Sequence, residues 1–169
     1  MTKKTTNKIL VLENRLLYPL FLWLETIPLV GRESRERSRF NIVIGERVNE
    51  NEKIRKEMII KYCKLDKDKK PLTETKKVVD PKNPNGEKID KTNYVFKNNK
   101  EEKAFMEELG EYMKEKFIID VLEGNKAKVY TTRDIILNSQ EKFSGAMAVI
   151  YEEWCTAFEK LPPRQEISK

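Results

Sequence analysis

GRESRERSRFNIVIGERVNENEKIRKEMIIKYCKL, residues 31–65, carries apolar side chains at Phe40, Val43, Ile44, Val48, Ile54, Met58 and Tyr62. That spacing, with one longer gap, is the signature of an amphipathic helix and predicts one long helix over about 32–65. Some 30 helical residues reach about 45 Å. This exceeds what the core of one 20.0 kDa chain comfortably covers, so the far end is expected to pack on a partner chain or within a helical hairpin. Arg47 and Asn51 stand where further apolar residues would fit, and polar groups inside such a seam can set register and oligomer state.

Upstream, KILVLE (Lys8–Glu13) reads as a short strand. Asn14 reads as the N-cap of a nearly all-apolar helix ending near Thr26, which is expected to be central or covered by another subunit. Pro19 would fit the first turn better than the interior, which argues for a later start. Downstream, residues 64–97 are rich in Lys, Asp, Pro and Asn. A small β-hairpin insertion is expected there, pairing Lys76–Val79 with Asn93–Lys97 around Asn83-Pro84-Asn85-Gly86. Asn98 or Asn99 with Glu101 or Glu102 forms a capping-box pattern. The helix it opens is predicted to run to about Leu122, burying Phe105, Leu109, Met113, Phe117 and Val121 before Gly124. A shorter segment near Thr132–Asn138 precedes a last helix over about Gly145–Lys160, stopped by Pro162 and Pro163. The expected fold is therefore mainly α: a helical hairpin or bundle in a single domain 1–169, with a short N-terminal strand and residues 162–169 as a loose tail.

Composition removes several chemistries. There is no histidine, so Ser-His and Cys-His nucleophile pairs and most transition-metal sites are absent. Cys63 and Cys155 are too few for a disulfide framework and read as buried small hydrophobes. Carboxylates and lysines abound, but abundance does not pick out a catalytic pair, and six glycines supply no phosphate cradle. No catalytic residue, metal or cofactor is called for. The longest apolar run, Leu16–Leu24, has nine residues, against the roughly 20 a membrane span needs. With no export signal either, a cytoplasmic location is expected.

Charge is unevenly placed. Residues 1–60 carry +4, residues 61–100 carry +6 and residues 101–169 carry −4. The halves can complement one another in an oligomer, or the basic part can face an anionic partner. Arg32, Arg35, Arg37 and Arg39 fall in the first two turns of the long helix, where the macrodipole already presents positive charge and each exposed cation costs about 0.3–1 kcal/mol. Arg32, Arg35 and Arg39 share one face. Helix N–H groups beside guanidinium forks suit a phosphate or carboxylate; the competing reading pairs these arginines with Glu33, Glu36 and an acidic C-terminal helix. Tyr18, Trp23, Tyr94 and Phe96 could stack bases, but the acidic C-terminal third argues against a nucleic-acid face.

GRESRERSRF (Gly31–Phe40), the charged helix reaching KYCKLDKDKKPL (Lys61–Leu72), and Ser144-Gly145 followed by Tyr151-Glu152-Glu153-Trp154-Cys155 together resemble a family of small proteins of unknown function. Tailed phages and prophages of Gram-positive bacteria encode that family. The likeness covers about residues 8–72 and 133–160 and implies a phage origin without assigning an activity. The expected function is then a non-catalytic, homo-oligomeric phage accessory protein. Its Arg32, Ser34, Arg35, Arg37 and Arg39 would hold an anionic, nucleotide-like ligand, as an anti-defence sponge for a host immune signal. The alternatives are a tail or virion assembly accessory and an inhibitor of a host defence factor or nuclease.

Overall fold

A computed structural model of the chain describes residues 9–79 and 88–164. In order they form β1 (Ile9–Glu13), α1 (Asn14–Thr26), α2 (Gly31–Tyr62), β2 (Thr73–Val79), β3 (Lys88–Tyr94), α3 (Asn99–Lys114), β4 (Lys116–Asp120), α4 (Lys126–Leu137) and α5 (Ala146–Glu159). The fold is mainly helical, with the long helix, the N-terminal strand and the small antiparallel hairpin in the expected order. Two compact units emerge, residues 1–51 with 113–169, and residues 52–112.

In the first unit, β1 pairs antiparallel with β4, Leu10 opposite Ile119 and Leu12 opposite Phe117. Leu10, Leu12 and Ile119 turn inward onto α1, whose Leu16, Leu17, Leu20, Trp23 and Leu24 are buried. The same core takes Phe40 and Ile44 of α2, Val129, Tyr130 and Ile136 of α4, and Trp154 and Phe158 of α5. Trp154 stacks on Trp23 with ring centroids 5.5 Å apart, and its indole N–H donates to the Leu16 carbonyl at 3.1 Å. Pro162 is buried and its carbonyl accepts the Tyr130 hydroxyl at 2.6 Å, so the chain is still held at that point; residues 165–169 lie outside the described residues.

Three expectations need correction here. Pro19 sits inside α1, which starts at Asn14 after all; the buried leucines on both sides outweigh the one backbone bond that proline forfeits. Asn14 is not the N-cap. That position is Glu13, which makes no side-chain cap bond. Asn14 is instead buried, its N–H donating to the Glu115 carbonyl at 2.9 Å and its amide oxygen accepting Arg47 Nε at 3.0 Å. Finally, the third helix stops at Lys114 and Lys116–Asp120 is a strand. Phe117-Ile118-Ile119 favours a pleated, half-buried surface, and β1 has a buried face that needs a partner. The Phe105-to-Val121 spacing only mimics a continued helix.

Arg47 is accounted for within the chain. Besides Asn14 it meets Glu50 at 2.7 Å and Glu115 at 3.7 Å, with its guanidinium carbon 6.0 Å from the Phe117 ring centroid. Gly45 earns its place by close approach: a Cβ there would stand 3.2 Å from Phe21 Cε2, tighter than a packed ring readily allows.

In the second unit, Met58, Ile59, Tyr62 and Cys63 pack against Phe105, with Ile54, Phe96, Leu109 and Tyr112 around them. The last turns of α2 thus lie on α3, as in a helical hairpin. Asn98 Oδ1 accepts the backbone N–H groups of Lys100 and Glu101 at 2.9 and 3.0 Å, which is the predicted cap. The β-hairpin forms in a different register from the expected one, Thr73 opposite Tyr94 and Val79 opposite Lys88. The Asn83–Gly86 turn lies outside the described residues.

Glu108 accepts both Lys61 Nζ, at 2.6 Å, and the Tyr62 hydroxyl. The lysine bond first, and the tyrosine bond after it, hold the Glu108 carboxyl below its ordinary pKa. A carboxyl whose pKa is lower folded than unfolded stabilises the fold fully above the ordinary carboxylate range and loses that contribution as pH falls through the folded value. Amide protection in the α2–α3 contact should therefore drop on acidification in the wild type. Hydrogen exchange at neutral and acidic pH should show a smaller drop in Glu108→Gln.

Candidate functional site

The arginine cluster opens α2, and the chain enters it through Gly31 at φ +60°, a left-handed turn that suits glycine. The four guanidiniums do not act as one site. Arg37 turns back toward the end of α1: its Nη1 donates to the Leu24 carbonyl at 2.5 Å and the Ile27 carbonyl at 3.0 Å. These belong to the last turn and the C-cap of α1, which has no basic residue of its own in that turn. A cation misplaced for the α2 dipole is well placed for the α1 dipole. Arg39 Nη1 donates to Glu36 Oε1 at 2.8 Å, and the Glu36 side chain is only 8% exposed. A carboxylate that deep is costly unless paired, so Arg39 supports the fold although it is itself exposed.

Arg32 and Arg35 are different. Both are exposed, and among the described residues neither has an ion pair or hydrogen-bond partner. They stand three residues apart on one face, above the unbonded N–H groups of the first turn of α2. Glu33 lies between them in sequence and is the one acidic residue in that turn. Ser34 is half-buried; its carbonyl accepts the Ser38 hydroxyl at 2.9 Å. The five predicted residues therefore split into an open pair, Arg32 and Arg35, and two internal struts, Arg37 and Arg39, with Ser34 between them in the helix.

Beside the cluster runs a groove of about 830 Å³ between α1 and α2, lined by Tyr18, Phe21, Glu25, Arg37, Asn41, Ile42, Gly45 and Glu46 among others. Tyr18 is 56% and Ile42 64% exposed. Asn41, itself buried, donates to the Phe21 carbonyl at 3.3 Å, while its amide oxygen has no donor among the described residues. The sequence pattern did not single out this groove. Tyr18 falls in an apolar run that reads as core, and only the packing of α1 on α2 reveals which of its side chains is left outside. Of the aromatics considered for base stacking, Trp23 is buried and Phe96 packs on the second core, while Tyr18 and Tyr94 are exposed but belong to different units.

Burial raises the pKa of both thiols. Among the described residues, no group of three or more cysteine or carboxylate side chains is placed to hold a metal ion. Nor is any helix long and apolar enough to cross a membrane. No family model, no curated protein and no solved structure matches this chain.

Proposed function

We propose that this chain is a non-catalytic phage accessory protein that binds a nucleotide-like anion at the start of α2 and withholds a host immune signal. The observation that supports this reading is the exposure of Arg32 and Arg35, without an ion-pair partner among the described residues, at the positive pole of a long helix. The dipole disfavours both cations there unless an anion joins them. A phosphate takes two guanidinium forks and the free backbone N–H groups together, which is the geometry of charge-assisted anion recognition.

Titration calorimetry with cyclic dinucleotides and ADP-ribose-type nucleotides tests the proposal. Arg32→Ala combined with Arg35→Ala should weaken binding strongly, since each lost charge-assisted bond is worth about 1.5–3 kcal/mol. The structure makes this pair a better choice than one that includes Arg39, whose removal would strand Glu36. Failure of the folded wild-type protein to bind any of these nucleotides at submillimolar concentration would remove the proposal. Recovery of the chain in purified virions would point instead to a tail accessory.

A further inference from the structure

At 100° per residue, Arg35, Arg39, Ile42, Glu46 and Asn49 fall within about 80° of one another on α2, opposite the buried Phe40 and Ile44. All five are exposed. At the centre of this stripe Ile42 presents bare apolar surface to solvent, and Tyr18 of α1 lines the same groove. Ser38, one turn before Ile42, is small and exposed and leaves room beside it.

The charges along the stripe are ordered. Arg35 and Arg39 precede Ile42, and Glu46 follows it with no ion-pair partner among the described residues. Such a stripe complements itself under a two-fold axis. With the axis at Ile42 and the two helices antiparallel, residue 42 − n of one copy lies across from residue 42 + n of the other. Arg39 then lies across from Gly45, one residue along from Glu46 and on the same side of the seam, Arg35 faces Asn49, and the two Ile42 side chains meet at the axis. A parallel pairing would set arginine against arginine, whereas antiparallel helices also oppose their macrodipoles favourably.

We propose that this face is a self-association surface: two copies of the chain pack α2 against α2 in antiparallel fashion about Ile42. The second copy is favoured over an unrelated partner because the order of charge about the apolar centre is what a two-fold requires. Arg35 belongs to both the anion site and this stripe, whereas Arg32 lies beyond the paired stretch and Ile42 outside the anion site, so Arg32→Ala reports on anion binding and Ile42→Asp on dimerisation.

Light scattering on the full chain should give twice the 20.0 kDa of one copy. Ile42→Asp should return it to monomer with an unchanged circular-dichroism spectrum, because Ile42 contributes little to the core. Val149→Asp, at an α5 side chain that is 60% exposed, should remain dimeric and so exclude general apolar stickiness. Glu46→Arg, set against the partner's Arg39, should weaken the dimer about tenfold or more. Under mild oxidation Ile42→Cys should crosslink to itself while Val149→Cys does not. A wild-type chain that is monomeric at every soluble concentration would overturn the proposal, leaving the groove for a different protein. So would a dimer that Ile42→Asp leaves intact, or an Ile42→Cys chain that fails to crosslink.

Discussion

Trp154→Ala should cost the first unit about 3–5 kcal/mol, the range for removing a large buried aromatic, and this is the largest single-residue effect expected. Trp154 is fully buried. Its ring stacks on Trp23 and meets Tyr151 edge-on at 6.4 Å between centroids, so truncation leaves several aromatic faces against a void. The indole N–H also reaches the Leu16 carbonyl, tying α5 to α1. Because a domain of this size holds only about 5–15 kcal/mol in total, the variant should unfold at much lower urea than the wild type. Trp154→Phe keeps most of the apolar volume and loses the hydrogen bond. Its urea midpoint should therefore fall between the two; a phenylalanine variant as unstable as the alanine one would mean that the bond to Leu16, rather than packing, dominates.

Arg37→Ala should be the most damaging change in the arginine cluster, at about 2–3 kcal/mol, since one guanidinium serves two carbonyls at the negative pole of α1. Nothing else in the last turn of α1 brings positive charge there. Arg37→Lys should recover only part of the loss, because a point charge on a flexible stem does not replace a planar fork. Arg32→Ala with Arg35→Ala should by contrast leave the melting midpoint almost unchanged, as exposed, unpartnered surface positions usually do. Denaturant melts of the three variants side by side decide the matter. Equal destabilisation by all of them would contradict the division of the cluster into struts and an open pair.

That division was not legible in the sequence. A helical wheel sets Arg37 apart from Arg32, Arg35 and Arg39 but leaves Arg39 on the same face as the open pair, and it does not say what Arg37 meets. What separates Arg37 from Arg35 is the proximity of the Leu24 and Ile27 carbonyls, a property of how α1 turns into α2. Likewise, Glu36 could be named as a neutralising neighbour but not as a buried one. The long helix was readable because its apolar period survives the Arg47 and Asn51 interruptions, and the last helix because Pro162 and Pro163 close it. β4 was missed because Phe117 and Val121 extend the four-residue rhythm of α3, and only the unpaired edge of β1 demands a strand there. The hairpin could be expected from its turn residues, but its register could not. Thr75 and Thr92 meet across it at 3.0 Å, a contact that composition alone does not announce.

The pairing of Leu12 with Phe117 joins parts of the chain separated by the whole of residues 52–112. During synthesis, β1 and the leucine-rich α1 emerge long before Lys116–Asp120 leaves the ribosome, and closing so long a loop carries an entropic penalty. Nascent chains arrested before β4 would hold an unpaired strand beside an uncovered apolar helix, the kind of species that chaperones capture and that aggregates without them.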